Sequence, residues 1–351
     1  MNKYLSQKLR LLSLITMILV LYIHSYNYSH LTKPLGAIDS LCIGIEDFIA
    51  FHICRIAVPA FFMLSAYLLL LHYPLTLKTY WDNIKKRLYT LGVPYVVWVS
   101  LWSLLLLTIS NVPSLHTFVN KPISLELPFW KNIVQVYTQP ICYQLWFIRD
   151  LFFLVVVSPL YYYLVQKTGL FVLIMAYLNW LLSPYELSII HNSSLLFYGL
   201  GIALYCQKLQ GMNSVLQIKT PILGCLWIGS SYLPKLPMYP CAPMEYAVPF
   251  SVLLGIAFLW KGYDAWNKNT HVFKLLEKHS NYSFFLYGIH EPLLTAFKKI
   301  SFSLLGTSNA IRLTAYLVLP IVVYALALII GTFLKTHFYK FYTLLTGGRS
   351  N

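Results

Sequence analysis

A chain of 351 residues that is 58% hydrophobic and only 11% charged, with a formal net charge of +15, is not an ordinary soluble domain, in which about a quarter of residues are charged. Apolar runs recur from end to end and leave no polar block long enough to fold separately, so one membrane domain over residues 1–351 is expected. The lysines and arginines fall mostly in short connections, a pattern of membrane topology that argues against nucleic-acid binding.

The predicted fold class is all-α, a polytopic integral membrane protein with about ten transmembrane helices. Their apolar cores lie at 11–28, 50–71, 89–110, 146–165, 169–184, 193–206, 219–233, 244–260, 281–297 and 313–334. A span needs about twenty residues to cross about 30 Å of hydrocarbon. With the amino end inside, seventeen lysines and arginines fall on the inner side and seven on the outer, while Arg55 and Arg149 sit at span edges. That bias predicts both termini in the cytoplasm. The first run, KLRLLSLITMILVLYIHSYN, carries no small-residue cleavage site after His24 and is read as a retained helix.

Within that helix Arg10 and His24 stand fourteen positions apart, which returns them to within roughly 40° of one face and about 21 Å apart along the axis. Arg55 opens RIAVPAFFMLSAYLLLL, in which Pro59 gives a kink, Ser65 and Ala66 allow close helix approach and Tyr67 brings a hydroxyl to depth. Lys85, Lys86 and Arg87 precede LYTLGVPYVVW. A long connection from Ser110 to Tyr143 is broken by Pro113, Pro122, Pro128 and Pro140, and a second, Leu233 to Pro243, is also proline-rich. Trp146, Arg149 and Asp150 open the fourth span in QLWFIRDLFFL, and His290, Glu291 and Pro292 interrupt NYSFFLYGIHEPLL.

Ionisable groups inside spans cost several kcal/mol unless paired or hydrated, so these clusters are the functional candidates. Each also has a bland reading: the cations as topology signals, Arg149 and Asp150 as a structural ion pair, Gly199 and Gly201 as packing residues, and most of the 28 tyrosines as interfacial rings. Six scattered cysteines show no ligand spacing, so no metal is expected. A histidine at one mouth can take a proton from a hydroxyl, and arginines at the other can hold phosphates bidentately. The residues alone leave two readings open: transfer from a phosphate-rich donor to a hydroxyl, or a transporter or flippase for a glycan or small acid.

The segments LVLYIHSYN, RIAVPAFFMLSAYLLL, IKKRLYTLGVPYVVW, QLWFIRDLFFLVVVSPL, LLFYGLGIALY and YSFFLYGIHEPLL, in this order over nearly the whole chain, resemble the acyltransferase 3 family of bacterial envelope acyltransferases. The resemblance implies a ten-helix domain in the bacterial cytoplasmic membrane. It would move an acyl group, usually acetyl, from cytoplasmic acetyl-coenzyme A or another acyl-coenzyme A to a hydroxyl of a glycan or glycolipid. The family's first helix carries an arginine, ten residues and then an essential histidine. His24 matches the histidine, but Ser13 stands in the arginine's place and Arg10 lies one turn away. A second family arginine, three residues after Arg87, is Thr90 here. On this reading His24 and Arg10 are expected to be catalytic, and Arg10, Lys86, Arg87 and Trp146 to hold coenzyme A. Arg55, Tyr67, Arg149, Asp150, His290 and Glu291 are expected to contact substrate.

Overall fold

The computed structural model describes residues 3–27, 37–72, 77–110, 112, 128–182, 190–232 and 248–349. In chain order the helices are α1 (Lys3–Ser25), α2 (Ala37–Asp47), α3 (Ala57–His72), α4 (Leu77–Arg87), α5 (Val93–Ser110), α6 (Phe129–Thr138), α7 (Trp146–Thr168) and α8 (Phe171–Leu182). Then follow α9 (Asn192–Tyr205), α10 (Gln210–Gln217), α11 (Thr220–Tyr232), α12 (Val248–Ala265), α13 (His271–His279), α14 (Ser283–Leu305), α15 (Asn309–His337) and α16 (Tyr339–Thr346). The all-α expectation holds over these residues. Residues 111 and 113–127 of the Ser110 to Tyr143 connection, and the whole Leu233 to Pro243 connection, lie outside them.

Every expected apolar run overlies a helix, but five stretches among the described residues are long and apolar enough to cross a membrane: Lys3–Ser25, Ser40–Leu71, Thr79–Ser110, Tyr143–Thr168 and Asn309–His337. The other runs fall short for two physical reasons. Helices α8, α9 and α11 have 12, 14 and 13 residues, fewer than a span of about twenty needs. Helix α12 ends in Lys261 and Asp264, and α14 carries His290, Glu291, Lys298 and Lys299, so polar groups dilute both.

Helix α1 is the central stave, packed against α3, α14 and α15, with Leu11, Leu12, Leu14, Met17, Val20 and Leu21 buried. Helices α3 and α9 approach so closely that a Cβ on Gly201 would stand 2.2 Å from the Met63 carbonyl oxygen. Gly201 is thus a packing residue: without a lipid-driven hydrophobic force, small side chains let backbones touch.

The prolines organise the bundle. A proline in a helix cannot donate to the carbonyl four residues earlier, and side chains here bond the carbonyls so deprived. Pro292 deprives Gly288, whose oxygen accepts the Trp102 indole N–H at 2.8 Å. Pro320 deprives Tyr316, whose oxygen accepts the Ser25 hydroxyl at 3.2 Å. Pro159 deprives Val155, which accepts from Ser158 at 2.7 Å. Pro94 deprives Thr90, just where the chain between α4 and α5 widens into a π-helical turn over Leu88–Gly92. Each of the first two ties one helix to another at a fixed height, because a freed carbonyl in apolar surroundings needs a donor.

Candidate active site

The carboxyl end of α1 is held by polar bonds rather than by packing alone. Lys298 on α14 donates to the carbonyls of Tyr26 (3.0 Å) and His24 (3.4 Å), satisfying acceptors that a helix end leaves without partners. Beyond the helix, the Asn27 amide donates to the buried carboxylate of Glu46 and to the Arg312 carbonyl. His24 is thereby presented at a defined height.

The His24 ring meets two partners. Its Nδ1 lies 2.6 Å from the Tyr143 hydroxyl, and its ring centroid is 5.2 Å from that of His290. His290 is fully buried, and its Nδ1 lies 2.7 Å from the Tyr287 carbonyl oxygen. A carbonyl only accepts, so Nδ1 carries the proton and Nε2 presents a lone pair. That Nε2 has no hydrogen-bond partner. An unpartnered acceptor inside apolar surroundings costs free energy, and a hydroxyl brought beside His24 would satisfy it. The Tyr143 side chain is 51% exposed, so this corner opens to the surroundings while its second imidazole stays dry.

The structure thus brings together His24 and His290, two residues that sequence pattern placed far apart. Glu291, next to His290, bonds Thr295 at 2.8 Å and lies within electrostatic range of Tyr143 and Lys298. Tyr143 and Lys298 were not distinguishable in sequence, one being among many tyrosines at span ends and the other counted with the outer cations.

The remaining candidates fall elsewhere. Asp150 is fully buried and binds Arg149 (3.0 and 3.2 Å), the backbone and ring nitrogens of His191 (2.8 Å each) and the Ser194 hydroxyl (3.2 Å), joining α7 to the start of α9. Arg149 also donates to the Thr138 carbonyl at 2.7 Å. Trp146 lies over His191, with ring centroids 4.0 Å apart. It is three residues from Tyr143, at the His24 end of α7, whereas Lys86 and Arg87 precede α5 at the opposite end. Tyr67 packs edge-on against Tyr205. Arg55 and Lys86 are exposed and Arg87 half-buried. Arg10 is exposed on α1; two residues earlier, Lys8 is the buried cation, paired with Asp264 at 2.7 Å and lying 3.9 Å over the Trp260 ring.

Residues 7–336 match the family described as "Acyltransferase domain". A curated relative, the succinoglycan biosynthesis protein ExoH of Rhizobium meliloti (strain 1021), is 24% identical over 311 residues, covering 85% of this chain and 80% of the relative. No solved structure matches the chain.

Proposed function

The chain belongs to the acyltransferase 3 family, and from that premise we propose that it transfers an acyl group, acetyl by our reading, from cytoplasmic acyl-coenzyme A to a hydroxyl of a cell-surface or lipid-linked glycan. The protein would sit in the bacterial cytoplasmic membrane with both termini inside. The glycan acceptor is suggested by the printed name of the succinoglycan relative and the membrane setting by the five apolar helices.

The observation that carries the reading is the pairing of His24 with Tyr143 and with the unpartnered Nε2 of His290. In the productive tautomer His24 Nδ1–H donates to the Tyr143 oxygen, which leaves His24 Nε2 free as a base. The acceptor hydroxyl gives its proton to that nitrogen while its oxygen attacks the thioester carbonyl. When the tetrahedral intermediate collapses the C–S bond breaks, and the His24 imidazolium returns the proton to the departing coenzyme A thiolate. His290 Nε2, which only accepts, would take a hydrogen bond from a second, neighbouring hydroxyl of the acceptor and so orient the reacting one toward His24. Burial of His290 excludes water, which would otherwise compete as the acceptor.

His24→Ala should abolish acyl transfer to the envelope glycan while the protein remains in the membrane at wild-type level. Transfer of labelled acetyl from coenzyme A into polysaccharide by membranes of the variant is the measurement, and an unimpaired rate would overturn the mechanism.

A further inference from the structure

Segment 339–349 folds back onto the start of α5. The Trp98 indole donates to the Leu345 carbonyl at 3.0 Å, which seats α16 against α5. Gly347, at φ +61°, then presses on the strand of backbone that Pro94 has opened: a Cβ there would stand 2.5 Å from the Thr90 carbonyl oxygen. Only glycine accepts both the left-handed turn and that approach. Two residues on, Arg349 lies with its guanidinium carbon 4.1 Å over the Phe284 ring and donates to the Thr346 carbonyl at 2.9 Å.

This turn brings Arg349 within electrostatic range of Arg87. Burial, and then the like charge of Arg87, push the Arg349 guanidinium down from its ordinary value to about 9. Among the described residues no carboxylate pairs with Arg349. Three residues after Arg87, where the Gly347 turn meets the Thr90 backbone, the Thr90 hydroxyl is buried and has no hydrogen-bond partner. Two guanidinium groups within electrostatic range of one another, with an unpartnered hydroxyl against the same turn, make a site that an oxyanion would suit. Phe284 and His290 are six residues apart on α14, about 9 Å of rise, so the site lies below the imidazoles on the same helix.

We infer that Arg349, with Arg87 and Thr90, binds phosphate groups of the acyl donor, the second guanidinium being delivered by the turn after α16. The inference rests on coenzyme A being the donor. Phosphate could also arrive as a lipid headgroup, so the test separates the sources. Full-length protein in phosphatidylcholine nanodiscs is titrated calorimetrically with coenzyme A and with inorganic pyrophosphate. Wild type, Arg349→Gln, Arg349→Lys and, as a control, Lys340→Gln on the exposed side of α16 are compared.

Arg349→Gln should weaken both ligands about 10- to 100-fold. Arg349→Lys should recover part of the loss, and Lys340→Gln should bind like wild type. Without ligand, Arg349→Gln should melt close to wild type, since loss of the Thr346 bond and the Phe284 contact is offset by relief of the repulsion from Arg87. Equal binding by Arg349→Gln and wild type would overturn the inference and leave the donor assignment intact. Arg349-dependent binding of pyrophosphate but none of coenzyme A would support the anion site and sink the donor assignment. Absence of binding to either, or an equal loss in Lys340→Gln, would overturn the site. Weakening of coenzyme A binding when phosphatidylglycerol is added, seen in wild type but not in Arg349→Gln, would reassign the site to lipid phosphate.

Discussion

Asp150→Ala separates an architectural carboxylate from a substrate-binding one. The Asp150 side chain is fully buried and accepts five hydrogen bonds, from the Arg149 Nε and Nη2, the His191 N–H, the His191 Nδ1–H and the Ser194 hydroxyl. Its removal leaves the α9 amino end without its anion and four donor groups without an acceptor. Arg149, 19% exposed, retains Thr138, and the His191 side chain, 24% exposed, can recruit water, so the full cost of each donor does not accrue. About 3–5 kcal/mol remains, the usual consequence of breaking a buried pair from one side. For a chain of 351 residues that is a fall in melting temperature of about 4–7 °C. Heating detergent-solubilised protein and counting the surviving monodisperse fraction by size exclusion would measure it. A melting temperature within about 2 °C of wild type, with the acceptor KM raised tenfold or more, would refute the reasoning and move Asp150 into the substrate site.

Tyr143→Phe removes the hydroxyl that orients His24 and should lower kcat by up to about tenfold, with unchanged thermal stability, in a labelled acyl-transfer assay. Trp102→Phe strips the donor from the Gly288 carbonyl that Pro292 deprives and should cost about 1–3 kcal/mol, read as a lower melting temperature in detergent. Arg10→Ala alters an exposed side chain and should change stability by less than about 0.5 kcal/mol. Its transfer rate should stay close to wild type; a variant as inactive as His24→Ala would show that Arg10 acts from its exposed position.

Much of the arrangement was legible before any fold was known. His24 and His290 each stood out as a titratable ring in an apolar run, and Gly201 as a packing residue, and all three occupy sites that suit those descriptions. Tyr143 and Lys298 could not be singled out, because their roles come from contacts with His24 and the end of α1 that carry no local signature. The reading of Arg10 from helical periodicity fixed its angle on α1 but not which neighbours surround that angle. In the bundle Lys8 faces Asp264 and Trp260, and Arg10 faces outward.

The sequence by itself determined an all-helical membrane domain, because lipid offers no partner for a free backbone amide and long apolar runs must satisfy their own. It also determined where those helices would be opened, since each proline removes one specific bond. Only the tertiary structure decided which groups answer those openings. Trp102 comes to Gly288 and Ser25 to Tyr316, while the Gly347 turn packs on the Thr90 backbone and carries Arg349 into electrostatic range of Arg87. Thr90 stands where family resemblance leads one to expect an arginine, and the turn that carries Arg349 packs against its backbone. That contact depends on how α16 packs, and packing joins residues that no periodicity relates.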